Sequence, residues 1–299
     1  MKVLLPLDIV HPVQPTIEQL IAMVPLAKAE VCLLYVKEEL PSYEKVIDSV
    51  GDFKEDWGHQ IERKAKEAFE AAIEQLKPHC TNVSSEIVVG PPAMMIETVA
   101  RDEGFEVIVL TPGTHRKVEL FLLGSVSSKV VKHGPGTVLI CRQRSTPIEK
   151  LDHVLMAIDG SPQSHYAVRQ AAKQFAIDPA VTKVTIIHVV SVADVLKLVS
   201  PVEYIALVEN NLLLEGETFL AEGKAILAEQ GITHVDVVLK EGDPATEIIE
   251  LARSQPTDLI VIGAQGRTAV QHFLLGSVSH NIAMHAPCST AVVKPSKKS

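Results

Sequence analysis

No two cysteines of this chain stand close enough to form a CxxC pair. Cys32, Cys80, Cys141 and Cys288 are scattered, and three of them fall in or beside apolar runs, which excludes a redox or zinc motif of adjacent thiols and fits core thiols in a reducing cytosol. Long hydrophobic runs are missing as well. The opening MKVLLPLDIV is apolar over too few residues to span a bilayer, is broken by Asp8 and has no small-residue cleavage site of the secretory kind, so it reads as a first strand in a cytoplasmic protein without a membrane partner. Positive charge is not in excess: a formal net charge of -9 and a pI near 5.7 give a surface that repels nucleic acid and anionic lipid. The 12 histidines include no HxxxH pair and none set beside cysteine at ligand spacing, so no metal ligand is nominated. Ser161, Ser164 and His165 lie near Asp159, but without a GxSxG elbow they do not read as a hydrolase triad, and no catalytic residue is nominated. Neither GxxxxGK followed by Ser or Thr, nor GxGxxG, occurs anywhere, which removes the signatures of the commonest NTPase phosphate loop and of dinucleotide-binding oxidoreductases.

What the chain does have is a repeat. FLLGSVS occurs at 121 to 127 and again at 273 to 279, an offset of 152 in 299 residues, and His133 and Pro135 recur as His285 and Pro287 at the same offset. Upstream, FEVIVLT (105 to 111) matches TDLIVIG (257 to 263), Gly90-Pro-Pro-Ala matches Gly242-Asp-Pro-Ala, and KVLLPLD (2 to 8) resembles HVLMAID (153 to 159). The chain is one domain duplicated. With 46% hydrophobic residues, each copy can bury its own core. Each reads as five short β-rich apolar runs separated by helical segments, the pattern of an α/β fold with a parallel sheet. The runs are 2 to 7, 31 to 36, 84 to 89, 105 to 110 and 137 to 142, then 153 to 158, 184 to 190, 234 to 240, 257 to 262 and 290 to 294. Trp57, Ile61, Ala65, Phe69, Ala72 and Leu76 recur at helical spacing ahead of Pro78 and read as a core stripe. The link RQRSTPIEK (142 to 150) carries little that can be buried and marks the boundary, giving domains at 1 to 145 and 151 to 299.

The second copy carries a glycine pattern behind its fourth run: Gly263-x2-Gly266-x9-Gly276-Ser277. A glycine at the carboxyl end of a parallel strand lets the backbone turn and approach a ligand with no Cβ in the way. Gly276-Ser277, followed by Val278 and Ile282, looks like a helix start, where free N–H groups and the helix dipole favour an anion such as phosphate.

These residues resemble the universal stress protein family in its tandem form, over nearly the whole chain. The resemblance implies two tandem open five-stranded parallel sheets flanked by helices, each in strand order 3-2-1-4-5 (adenine nucleotide alpha hydrolase-like), paired through their fifth strands. The second-half glycines match the family's ATP-binding signature without departure. Carried over by position, Ala157, Ile158 and Asp159 meet the nucleoside and Val189 contacts adenine through its backbone, while Ile262, Gly263, Gly266 and Gly276, Ser277, Val278 and Ser279 complete the set that holds ribose and phosphates. Arg267 either reaches a phosphate or is a solvated surface arginine. The implied ligand is ATP, or ADP or AMP in its place, with Mg²⁺ left open.

The first copy departs from this pattern. Gly263 becomes Thr111 and Gly266 becomes Thr114, and a β-branched residue disfavours positive φ. Asp8, Val36, Gly124, Ser125 and Val126 remain as a weaker second site. Asp8 and Asp159 either bind a nucleoside or metal, or cap the next turn; His133 and His285 fit helix C-termini, where an imidazole bonds free carbonyls. The segment 191 to 230 reads as a cover over a core or an oligomer interface.

The expectation is therefore a cytoplasmic tandem universal stress protein that binds one adenine nucleotide in its C-terminal half and acts in the stress response through a nucleotide-dependent change in the loop 264 to 275 and an unspecified regulatory protein partner. It reads as a binding protein and not an enzyme, with at most slow hydrolysis. The alternatives are an interaction module that works through its dimeric surfaces without nucleotide, and an adenylyl-transferring enzyme. Strands 137 to 142 and 290 to 294 are expected to pair within the chain as a pseudo-dimer, with a homodimer of whole chains left open.

Overall fold

The computed structural model describes residues 1–38, 53–111, 123–142, 147–192, 201–267 and 275–295, with side chains given from 58 onward in the second segment and not at 202 and 203. All ten apolar runs form strands, and the two expected sheets are joined into one. In the first half the elements are β1 (Lys2–Pro6), α1 (Gln14–Met23), β2 (Glu30–Lys37), α2 (Phe53–Leu76), β3 (Asn82–Val89), α3 (Pro92–Asp102), β4 (Val107–Leu110), α4 (Ser125–His133) and β5 (Thr137–Ile140). In the second they are β6 (His153–Ala157), α5 (Pro162–Gln174), β7 (Lys183–Val190), α6 (Val202–Ala228), β8 (Val235–Glu241), α7 (Pro244–Ser254), β9 (Leu259–Gly263), α8 (Ser277–His285) and β10 (Ser289–Val293).

The sheet runs β3-β2-β1-β4-β5-β10-β9-β6-β7-β8, so each half keeps the order 3-2-1-4-5 and the halves meet at β5 and β10. That seam is antiparallel, with Ile140 opposite Thr290 and Val138 opposite Val292, whereas pairing within each half is parallel. Leu139 faces Ala291, its own counterpart in the other copy. A pseudo-twofold axis therefore passes between these two residues.

The strands nearest the axis are buried along their whole length because helices cover both faces, as a parallel sheet requires. One face is closed by α1, α2, α5 and α6, the other by α3, α4, α7 and α8, and on each face a continuous apolar layer runs through both halves. The predicted stripe on α2 is core: Ala65, Phe69, Ala72 and Leu76 are buried, while the Trp57 side chain lies outside the described residues. Gly90 and Gly242 both sit at φ +145, where a Cβ is strained, and each launches a helix with Pro in its first turn. Asp243 caps α7, its carboxylate accepting from the Thr246 N–H at 2.9 Å.

At the polar link expected at 142 to 150, of which 143–146 lie outside the described residues, the first residue belongs to the core. Arg142 is fully buried, its backbone N–H donating to Ser289 Oγ at 3.1 Å and its carbonyl accepting from Gln19 Nε2 at 2.7 Å. A charged residue can be buried when its donors find fixed acceptors, and those are Ala283 and Met284 at the end of α8, 2.6 and 2.8 Å from Nη2. The same contact corrects the reading of the repeated histidines. His133 and His285 do occupy the last positions of α4 and α8, but the free carbonyls near the end of α8 are taken by Arg142 and not by an imidazole. All four cysteines are buried and none is in a disulfide, and among the described residues no helix is long and apolar enough to cross a membrane.

Candidate functional site

In the second half, β6 leaves the sheet toward α5 on one face while its neighbour β9 leaves toward α8 on the other. Chains diverging from adjacent parallel strands open a crevice beyond the strand ends, where open α/β sheets bind ligands. A cavity of about 1210 Å³ occupies it, and its lining includes all twelve residues nominated in this half: Ala157, Ile158, Asp159, Val189, Ile262, Gly263, Gly266, Arg267, Gly276, Ser277, Val278 and Ser279.

Three local devices shape the cavity. The first is a clamp at Asp159. Its Oδ1 accepts from the Ser161 N–H at 3.0 Å and the Ser161 hydroxyl at 2.6 Å, and its Oδ2 accepts from the Arg267 N–H at 2.9 Å, tying the end of β6 to the loop after β9. A Cβ on Gly266 would lie 2.6 Å from that Oδ2, so the loop closes over the carboxylate only because residue 266 has no side chain. Burial pushes the Asp159 carboxyl up, but the bonds from Ser161, Ser164 and Arg267 outweigh it and hold the group below the usual carboxylate range.

The second device fixes the helix start. Ser279 Oγ donates to the Gly263 carbonyl at 2.7 Å and the Gly276 N–H to the Ala264 carbonyl at 2.8 Å, which anchors the first turn of α8 against the end of β9. Gly276 stands at the N-cap with extended backbone and no side-chain cap. Ser277, Val278 and Ser279, whose first-turn N–H groups have no acceptor within the helix, line the cavity. Gly263 is needed for a different reason: its Cβ would come within 3.2 Å of the Gln163 backbone where α5 begins.

The third device is the wall under α6. His188 Nδ1 lies 2.8 Å from the Ile158 carbonyl, which only accepts, so Nδ1 carries the proton. The ring meets Phe219 edge-on at 5.3 Å. Gly216 lets α6 pass above it, since a Cβ there would come 2.7 Å from His188 Cδ2. The backbone of Ile187 points toward β6, its carbonyl accepting from the Ile158 N–H at 2.9 Å, and by the alternation of a parallel ladder Val189 points the same way. There β6 has already ended at Ala157, so the backbone edge of Val189 faces the crevice.

Arg267 is about half exposed and lines the cavity. Its guanidinium lies over the Phe219 ring at 4.9 Å and Nη1 is 3.0 Å from Glu215 Oε2, so it forms a wall of the cavity, held by α6. His188, Leu212, Glu215, Gln265 and His280 line the cavity without having been nominated, as does Lys132, which belongs to the first half. A signal for the α6 group was present: Gly216 and Gly223 stand seven apart in one helix, and Cβ atoms there would meet His188 and Ile158. Leu212, in the segment read as a cover, does lie over the cavity, whereas Val195–Val199 fall outside the described residues.

The first half is built otherwise. Asp8 and Asp159 make the same turn onto the amide two residues on, at 2.8 Å to the Val10 N–H in the first case, and the second oxygen of Asp8 faces His11 Nδ1 at 2.6 Å. Thr111, where Gly263 stands in the other copy, spends its hydroxyl on Thr16 Oγ1 at 2.6 Å. Thr114 lies outside the described residues. Val36 and Val126 pack against the core, and Gly124 is the N-cap of α4 with Ser125 at its first position. None of Asp8, Val36, Gly124, Ser125 and Val126 lines the cavity described above.

Comparison with known proteins settles the family. The family model described as "Universal stress protein family" matches residues 1–142 and again 150–294. The chain belongs to the universal stress protein family. It is of the tandem type, with two such domains in one polypeptide. A universal stress protein of Methanocaldococcus jannaschii is 34% identical over 148 residues, which are 48% of this chain and 83% of that one. One from Bacillus subtilis is 30% identical over 145 residues, 47% of this chain and 97% of its own length. Among solved structures, a universal stress protein from Archaeoglobus fulgidus is similar over 99% of this chain and 97% of that one with a TM-score of 0.58; at 20% identity it speaks for the fold of this tandem universal stress protein alone.

Proposed function

We propose that the C-terminal half binds one adenine nucleotide, ATP or its di- or monophosphate, and that the protein works as a nucleotide-dependent regulator of the stress response. The observation that carries this reading is the Asp159–Gly266 clamp: a carboxylate, a glycine with no room for a Cβ and the amides of a helix start are drawn around one crevice. In this reading the backbone edge of Val189 meets the adenine, the free lone pairs of Asp159 meet the ribose hydroxyls, and the amides of Ser277, Val278 and Ser279 hold phosphate, where the helix dipole adds to the attraction. Mg²⁺ would travel with the polyphosphate.

Chemistry is a weaker part of the proposal. Asp159 already accepts three bonds from the protein, so it is a poor general base, and any hydrolysis is slow. The signal to a partner is assigned to the loop 264 to 275, of which 268–274 lie outside the described residues.

Mass spectrometry of the nucleotide released from freshly purified protein, with calorimetry against ATP, tests the reading. An adenine nucleotide in the protein and a stoichiometry near one per chain are expected; no heat with ATP, ADP or AMP overturns it. Pyrophosphate release on mixing with ATP would replace binding by adenylyl transfer. Limited proteolysis with and without ATP tests the loop, where identical cleavage would remove it as the signalling element.

A further inference from the structure

The cavity of the second half is not built by that half alone. Lys132, near the C-terminus of α4, lines it together with the first turn of α8, from Ser277 to His280. The pseudo-twofold axis explains how it gets there. Ser128 Oγ lies 3.9 Å from Met284 Sδ, so α4 and α8 run side by side across the axis. Under the same symmetry, Lys132, one turn beyond Ser128, falls beside His280, one turn before Met284. Lys132 therefore lines the end of the crevice where α8 begins.

The exchange is unequal. The counterpart of Lys132 is Met284, so the first half, whose glycines are replaced at Thr111 and Thr114, receives a thioether where the second receives a cation. Besides Lys132, the titratable groups of the cavity are His188, His280, Asp159, Glu215 and Arg267. The last two are paired with each other at 3.0 Å, and Asp159 is engaged by Ser161 and Arg267. No carboxylate is in an ion pair with Lys132 among the described residues.

We propose that Lys132 of the degenerate first half is a phosphate-binding residue of the second half's nucleotide site, making affinity depend on the number of phosphates. This rests on the reading of the cavity as a nucleotide site. Lysine suits the role as a mobile point charge on a long stem, able to follow phosphates of different length. Because the group is exposed, its contribution is modest and screened by salt.

The test is calorimetry of the full chain with Mg·ATP and with adenosine, using Lys132→Met, which copies the counterpart residue, and Lys129→Met, which removes the same charge from an exposed position of α4 outside the cavity lining. Lys132→Met is expected to weaken ATP roughly fivefold at low salt and to leave adenosine unchanged. Lys129→Met is expected to leave both unchanged, and the ATP difference is expected to shrink as salt rises. Unchanged ATP affinity in Lys132→Met, or an equal loss in Lys129→Met, overturns the assignment while the site stands. Failure of the unaltered protein to bind either ligand overturns the site and the assignment together. Circular dichroism and unfolding midpoints of both variants separate a binding defect from a folding one.

Discussion

Arg142 and Lys294, counterparts in the two copies, each cap a helix of the opposite half. Arg142 Nη2 donates to Ala283 and Met284 at the end of α8, and Lys294 Nζ donates to the Gly134 carbonyl, just past α4, at 2.7 Å. Cations at helix C-termini satisfy free carbonyls and meet the negative end of the dipole. The two halves are thus tied by reciprocal capping in addition to the β5–β10 ladder, and the partly buried lysine gives the tie a pH dependence.

Burial lowers the pKa of Lys294 to about 8, with Glu97 acting the other way. The unfolded chain holds that proton to about 10.4 while the folded chain releases it, so stability rises with pH across this window. Between pH 7.5 and 9 the gain from this group is about 1 kcal/mol. Chemical denaturation at the two values should show that rise in the unaltered protein and its loss in Lys294→Met. An equal rise in both would assign the effect elsewhere. Cys141, whose burial pushes the thiol up to about 12, opposes the rise at the top of this window, where the unfolded thiol begins to ionise, and it does so equally in both proteins, so the difference between them reads Lys294 alone.

The clamp at Asp159 can be broken from either side. Asp159→Ala leaves the Ser161 and Arg267 amides without their acceptor, at a cost of about 1–3 kcal/mol, and Gly266→Ala puts a methyl group 2.6 Å from Oδ2. Both are expected to abolish measurable ATP binding. They should also differ in acid: the contribution of Asp159 is present above about pH 3.9 and lost as pH falls toward its lowered folded pKa, so Asp159→Ala should flatten that part of the acid unfolding curve.

Gly263→Thr copies the first half onto the second. With the Gln163 backbone 3.2 Å from a Cβ at this position, the start of α5 must yield, and ATP affinity is expected to fall at least about tenfold with unfolding midpoints little changed. The reverse change, Thr111→Gly, removes the bond to Thr16 and leaves Asp8 facing His11. Calorimetric stoichiometry should therefore stay near one, and a value near two would show the first half to be repairable by a single residue.

His153 provides an acid-sensitive point in the core. Its ring lies 2.9 Å from Thr185 Oγ1 and 3.2 Å from Thr257 Oγ1, and burial first, then Lys183, lowers its pKa. The unfolded histidine takes a proton near pH 6.5 and the folded one resists it, so stability falls as pH drops below that value. Denaturation midpoints at pH 7.5 and 5.5 should separate more in the unaltered protein than in His153→Gln.

How much of this was legible in the sequence depends on how local each cause is. Strands such as Leu259–Gly263 and Val107–Leu110 are apolar at nearly every position because both faces are covered, so the run itself announces the strand. The glycine spacing from Gly263 to Gly276 was legible because each glycine answers a steric demand at a fixed point of the loop. Arg142 was misread, since a charged residue beside a polar link says nothing of carbonyls 141 and 142 positions away. Asp8 and Asp159 read alike because their own turns are alike; the second oxygen of Asp8 faces His11 three positions on, that of Asp159 an amide 108 positions on. Lys132 was invisible for the same reason, as only the symmetry between the copies places it at a site in the other half.

The seam between β5 and β10 has one more implication. Covalent tandem arrangement spends, inside a single polypeptide, the strand edges through which separate domains of this architecture can add to one another. The rims that remain belong to β3 and β8, where Val89 and Val237 are about half exposed. For edge-to-edge addition a second chain is left only these outer rims, at the ends of the sheet farthest from the axis.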